Sequence, residues 1–235
     1  SFFEGGQGRF YLKTLNGSKG LSFVDGDNSS ERLRIDSSGR VLIGGTSNSA
    51  SSHADELQVI NTSAEGGISI INGTSSTGHI YFGDTSAAAQ GRIDYNHGGD
   101  YMRFYSANTE RLRINSDGRV LIGHSSARIV STTVNPFLQL EGTDHHAAIS
   151  LIRNTAGTYG SYLILGKSRS ASVGGYTVLQ DNDVLGSIRF AGADGTDMAQ
   201  YGGEIRVEVN GTPSADSMPS DMVFHTNTGS GNPTE

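Results

Sequence analysis

The groups in this sequence that could do chemistry are carboxylates, imidazoles, hydroxyls and tyrosines, and their spacing limits what each can do. Asp181-Asn182-Asp183, with Asp194 and Asp197, offers oxygen ligands of the kind Ca²⁺ takes. No complete twelve-residue loop surrounds them, and Asp25-Gly26-Asp27-Asn28 has no Gly at the sixth loop position. Asp and Asn bond their own backbone in turns, so these residues are read as turn formers. In a three-chain assembly His145-His146 would bring six imidazoles together. Neighbours alternate across a strand, however, so at most one of each pair faces inward, and the pair is read as surface. Glu204 with Glu208, or Asp216 with Asp221, would cleave a glycan only if the carboxyls stood about 5–9.5 Å apart across a sugar-sized groove. Ser, His and Asp are plentiful, but no Gly-x-Ser-x-Gly elbow is present. The expectation is a protein that is not an enzyme, with no metal ligand and no cofactor.

Binding is the better use of the reactive side chains. Residues 154–185 hold Tyr159, Tyr162 and Tyr176 with Lys167 and Arg169. Tyrosine pairs an apolar ring with a hydroxyl, which suits stacking on a sugar or packing on a protein. These five residues are the candidate binding set. The competing expectation is that the tyrosines extend a sheet, because Tyr162-Leu163-Ile164-Leu165 reads as a strand. Triplets of the Asn-x-Ser/Thr type, as at Asn61, Asn72 and Asn210, arise by chance in a chain this rich in Ser and Gly.

The elements that must position these residues are short strands. Gly supplies 33 of 235 residues, about twice the usual share of roughly 7%. Gly is costly inside helices and strands alike, so its abundance argues for many turns. No Gly-free window carries the apolar spacing of an amphipathic helix; Ala87-Ala88-Ala89-Gln90 is one turn long. Without Cys there is no disulfide and no thiolate site. No apolar run reaches 18 residues, so no membrane insertion by a helix is expected. The net charge of −7 disfavours nucleic acid, which needs clustered Lys and Arg. The chain opens on Ser1-Phe2-Phe3 without an initiator Met, which reads as part of something longer.

An internal repeat is the strongest signal. Residues 31–44, ERLRIDSSGRVLIG, return at 110–123 as ERLRINSDGRVLIG, with twelve of fourteen positions identical. Leu57-Gln58-Val59 matches Leu138-Gln139-Leu140, and 78–82 matches 186–190. Residues 91–95 match 203–207 and also 8–12, with Phe10 opposite Ile93. Residues 100–104 match 221–224 with one residue of slippage. Glu235 reads as the first residue of a third copy. The units are 1–56, truncated at its start; 57–137; and 138–235, with insertions and truncated at its end.

Arg-Leu-Arg-Ile alternates, which puts Leu33 and Ile35 on one face and Arg32 and Arg34 on the other. Val41 and Ile43 belong to a second strand, and Asp36-Ser37-Ser38-Gly39 between them predicts a type I turn with a Gly bulge. Sheets of such short strands with one apolar face need a cover, either stacked repeats or further chains.

The ERLRI–turn–G–VLIG element, followed by a Ser-rich linker and an L-Q-V strand, resembles repeats of bacteriophage tail fibre proteins. In that family the element often precedes a C-terminal intramolecular chaperone domain. Many relatives carry Val-Gly-Ile-Gly where this chain has Val41-Leu42-Ile43-Gly44. The resemblance implies an all-β, elongated fibre of β-meander or β-prism modules, intertwined as a homotrimer. It implies an extracellular place on the virion tail, contact with other tail proteins, and a bacterial surface glycan or protein as receptor. A tailspike-like glycan depolymerase and a bacterial trimeric surface adhesin are the alternatives.

Overall fold

The computed structural model describes residues 10–14, 20–25, 30–130, 134–145 and 147–229. The expectations placed on Ser1-Phe2-Phe3, Asp27-Asn28, His146 and Glu235 lie outside these residues. Every regular element described is a strand: the protein is all-β. Among the described residues no helix is long and apolar enough to cross a membrane.

Two compact units divide the chain, Ser1–Ile71 and Asn72–Glu235. The first holds one five-stranded sheet: β1 (Phe10–Thr14), β2 (Leu21–Asp25), β3 (Ser30–Ile35), β4 (Val41–Ile43) and β5 (Leu57–Val59), paired in chain order. The second holds a six-stranded sheet of β6 (Thr77–Phe82), β7 (Gly91–Asn96), β8 (Tyr101–Ser106), β9 (Thr109–Ile114), β10 (Val120–Ile122) and β11 (Leu138–Leu140), again in chain order. It also holds a three-stranded sheet of β12 (Val184–Ala191), β13 (Tyr201–Val209) and β14 (Ser220–Thr226). All neighbours are antiparallel except β4 with β5 and β10 with β11. Leu57–Val59 therefore bonds backward, to Val41–Ile43, and the next sheet opens at Thr77.

The hairpin of the repeated element forms as its residues dictate. Gly39 N–H donates to the Asp36 carbonyl at 3.0 Å, and Asp36 N–H donates to the Arg40 carbonyl at 3.0 Å. Gly39 takes φ +83°, and Gly118 takes φ +77° in the second copy. This is a type I turn closed by a Gly bulge. The Asp36 carboxylate accepts from Ser38 N–H at 2.9 Å and Arg40 N–H at 3.1 Å. Asn115 does the same for Asp117 at 3.1 Å and Arg119 at 2.9 Å.

The face assignment of the arginines needs correction. Between Phe23 and Val24 the ladder slips, so that Leu33 and Glu31 are paired and Arg32 is the extra residue of a β-bulge. The same bulge opposes Phe104 and Tyr105 to Leu112 and Glu110, leaving out Arg111. Arg34 keeps the polar face, and the bulge brings Glu31 beside it: Arg34 Nη2 donates to Glu31 Oε2 at 2.9 Å. Arg113 and Glu110 repeat the two-pronged pair at 2.8 and 2.9 Å. Arg32 turns aside to Asp25 at 2.7 Å. Register also corrects two matches. Leu12, not Phe10, takes the place of Ile93, because Leu12 faces Phe23 as Ile93 faces Phe104. A two-residue shift preserves the face, which is why the sequence match could not distinguish them. Met102 and Met222 are equivalent without slippage, facing Tyr95 and Val207.

Cross-strand rows then separate the faces. One apolar row reads Leu12–Phe23–Leu33–Ile43–Val59 in the first sheet. The matching row of the second reads Ile80–Ile93–Phe104–Leu112–Ile122–Leu140. The third sheet contributes Ile188–Ile205–Phe224. These faces stand open: Leu12, Phe23, Ile43, Val59, Ile80, Phe104, Ile188 and Phe224 are all exposed.

In the first two sheets the buried leucines lie on the opposite side. Leu42 and Leu121 are 0% exposed, and each sits beside an arginine of the polar face. Parallel neighbours need a crossover of a dozen or more residues, and here residues 44–56 and 123–137 supply it, with no helix among the described residues. A single glutamine fastens each crossover. Gln58 donates to Asn48 Oδ1 at 2.7 Å and the Asp55 carbonyl at 3.1 Å, and accepts from Ser49 N–H at 3.1 Å. Gln139 accepts from Arg128 N–H at 3.0 Å and donates to the carbonyls of Arg128 at 3.1 Å and Pro136 at 3.3 Å.

The last glycine of VLIG is fixed by the same strand pair. Gly44 and Gly123 take φ +81° and +82°, and a Cβ there would lie 2.3 Å from the Ile60 carbonyl oxygen and 2.1 Å from that of Glu141. Gly118 has nothing within 4 Å. Gly123→Ala should therefore destabilise by about 2 kcal/mol or more, whereas Gly118→Asn, in an open site that tolerates Asn at positive φ, stays near the parent. Thermal unfolding of the two variants checks this. Equal midpoints would refute the close-approach account.

Candidate functional site

The insertion carrying the candidate binding residues runs into β12, and over 159–170 its chain forms no sheet. Residues 159–170 contain no turn, bend or strand pairing, so Tyr162–Leu165 does not extend a sheet within this chain. Leu165 lies instead over the apolar face of β12, where a Cβ at Gly186 would fall 2.6 Å from the Leu165 Cβ. Leu163 and Leu165 wall a hollow of about 320 Å³ with Ile188, Ile205, Val207 and Met222.

Lys167 and Arg169 do not face solvent as free cations. Both turn to one carboxylate: Lys167 Nζ stands 2.7 Å from Asp183 Oδ1, and the Arg169 guanidinium grips both oxygens at 2.5 and 3.0 Å. Residues two apart on a straight chain share a side, which lets both reach Asp183 at once. Gln180 N–H adds a third donor at 2.9 Å. The Arg169 bond, then the Lys167 bond, hold the Asp183 carboxyl well below the usual range. The cluster is an anchor. It ties the insertion to the entry of β12, where Val209 N–H donates to the Asp183 carbonyl at 2.8 Å.

Tyr159, Tyr162 and Tyr176 remain exposed, with Tyr176 at 98%. Tyr176 follows Gly174, which takes φ +80° in a tight turn where Gly175 N–H bonds the Ser172 carbonyl at 3.1 Å. Arg169 N–H bonds the Thr177 carbonyl at 3.2 Å across the base of that turn. The tip is thus presented by an anchored stem.

Other candidate carboxylates are engaged by backbone donors. Asp194 accepts from Thr196 N–H at 2.8 Å and Asp197 N–H at 3.1 Å, and Asp181 accepts from Gly211 N–H at 2.6 Å. Among the described residues no three His, Cys, Asp or Glu gather to hold a metal ion. Glu204 is buried in β13, 3.0 Å from Arg189 Nε and 3.9 Å from His225 Nδ1. Burial alone would raise its pKa, but the bonds from Arg189 and Ser187 outweigh it and the net shift is downward. Glu208 pairs with Arg206 at 2.9 Å. Four residues along a strand separate the two glutamates by about 13 Å at the backbone, and each carboxylate turns to an arginine of its own. Asp36, Asp84, Asp183, Asp194 and Glu204 are all shifted below the ordinary range, Asp84 to about 2. Such carboxylates hold cations and backbone donors, and are poor proton donors.

One feature of the polar face escaped the sequence reading. In the six-stranded sheet Asp94 is buried between Arg92 Nε at 3.1 Å and Arg103 Nε at 2.8 Å. Arg92 stacks 3.4 Å from the Tyr105 ring centroid and Arg113 stacks 4.2 Å from that of Tyr101. The signal was the alternation of Tyr101, Arg103 and Tyr105 in one strand against Arg92 and Asp94 in the next.

The anchor has a defined pH dependence. A carboxyl whose folded pKa is depressed contributes stability above its unfolded pKa, near 3.9, and loses it as pH falls toward the folded value. Hydrogen exchange at 167–180 should therefore accelerate below about pH 4 relative to the intrinsic rate. Asp183→Asn should show the loosened state already at pH 7 and no further change on acidification. A parent whose protection here is flat from pH 7 to 3 would contradict the anchor.

The sequence matches no protein-family model and no curated protein.

Proposed function

We propose that this chain is part of a bacteriophage tail fibre, which works as a homotrimer on the virion tail and attaches to the bacterial surface without catalysing a reaction. The observation that carries this reading is the open apolar face on each of the three sheets. The accessible surface is 17345 Å², whereas a compact monomer of this mass exposes about 10,000 Å². Even two separate folded units of the observed sizes would expose only about 12,000 Å². The difference of several thousand Å² per chain is the scale of an obligate, permanent interface.

Sheets that are polar on one side and apolar on the other suit a prism, with apolar faces turned to a common axis and the arginine–tyrosine ladder outward. Two copies could also cover each other; the resemblance of the repeated element to tail fibre repeats selects three. Threefold symmetry then presents three copies of the Tyr159, Tyr162 and Tyr176 loops, so that weak single contacts with a surface glycan or protein gain avidity. The anchored Lys167 and Arg169 support the stem rather than the contact. Other tail proteins are the expected neighbours along the fibre.

Labelled native protein added to a panel of bacterial strains and their purified capsules tests the function. Saturable binding to cells without release of reducing sugar is expected. The double substitution Tyr159→Ala and Tyr176→Ala should weaken that binding at least about fivefold. Reducing-sugar release would overturn the non-catalytic reading in favour of a depolymerase. Unchanged binding of the double variant would remove the tyrosines from the contact.

A further inference from the structure

Two further segments are straight, apolar and without a partner inside the chain. Residues 65–73 and 147–155 contain no helix, turn or bend. Among the described residues, neither 66–72 nor 147–155 forms a backbone–backbone hydrogen bond. A straight non-helical backbone is an extended one, and an extended backbone with free N–H and C=O groups is half of a β-ladder. Their side chains also lack cover: Ile68 is 73% exposed and Ile71 87%, Ile149 75% and Ile152 79%.

The two segments are the same element. Gly67-Ile68-Ser69-Ile70-Ile71 aligns with Ala148-Ile149-Ser150-Leu151-Ile152, and Ile68 follows Leu57 at the spacing, eleven residues, at which Ile149 follows Leu138. The 81-residue period of the Leu-Gln strands thus continues, without insertion, into both segments. Ile70 and Leu151, at 47% and 52%, are the least exposed of the large apolar residues in each, so the order of exposure agrees as well.

We infer that Gly67–Ile71 and Ala148–Ile152 are strands completed by a second copy of this chain, each adding to an open strand edge of a neighbouring protomer. This deepens the homotrimer reading and rests on it: the protomers exchange backbone hydrogen bonds as well as packing apolar faces together. Two arguments choose a second copy over another protein. A partner must offer equivalent docking edges in the same 81-residue period, and this chain carries that period itself. The surface left open is also of the size that an obligate homomeric interface covers. Strand addition suits these sequences because β-branched side chains favour the pleated, half-buried setting they would enter.

Hydrogen–deuterium exchange on the native protein, with its mass measured in the same buffer, tests the inference. The amides of 68–71 and 149–152 should exchange at least about a hundredfold more slowly than the intrinsic rate in the oligomer. Substituting both Ile70 and Leu151 by Pro should abolish that protection locally and weaken assembly, since Pro removes the donor. Fast exchange at both segments in an oligomer of three chains would overturn the inference and leave the trimer standing. A single-chain mass would overturn the trimer reading itself, and slow exchange in that single chain would show that the segments pair internally.

Discussion

Sheets with one apolar face cannot stand uncovered in water, and the rest of this structure depends on that constraint. The rows Leu12–Phe23–Leu33–Ile43–Val59 and Ile80–Ile93–Phe104–Leu112–Ile122–Leu140 are continuous apolar stripes, yet Leu12, Phe23, Ile43, Val59, Ile80 and Phe104 stand exposed. The burial the chain achieves by itself is small. Leu42, Leu121, Leu179, Tyr201, Val209 and Val223 are the buried apolar residues among those described. A chain of this length that folded alone would bury far more.

The polar faces show how the opposite surface is kept in order. Each crossover is fastened by a glutamine and closed by a glycine whose Cβ position is taken by a neighbouring carbonyl. The two differences within the repeated element compensate each other. Asp36 places a carboxylate on Arg40 at 2.6 Å, and where Asn115 removes that carboxylate, Asp117 restores one to Arg119. Solvent screens ion pairs of this kind, so they fix local geometry and leave the driving force to the apolar faces.

Much of this was legible in the residues. Alternation gave the apolar faces, and Asp-Ser-Ser-Gly gave the turn with its bulge, because both are local properties of a few side chains. The bulge at Arg32 was not legible: one extra residue leaves the Arg-Leu-Arg-Ile alternation intact while moving Glu31 beside Arg34. The parallel pairing of Leu57–Val59 was hidden because its crossover carries no helix to announce it. In the candidate site, the exposure of Tyr159, Tyr162 and Tyr176 followed from their place in an insertion, whereas the engagement of Lys167 and Arg169 by Asp183 joins residues 14 and 16 apart through a chain path the sequence does not encode locally. The straight run at Tyr162–Leu165 has strand-like residues without a ladder, since a ladder is a property of two segments and only one is present here.

Light scattering coupled to size separation measures the central claim most directly, since it gives the mass of the native particle independently of its shape. The account predicts about three times the 24.7 kDa of one chain, the mass at which three one-faced sheets cover one another. A stable, monodisperse particle of one chain would contradict it, because the open apolar faces would then have to be folded inward by an arrangement different from the one described.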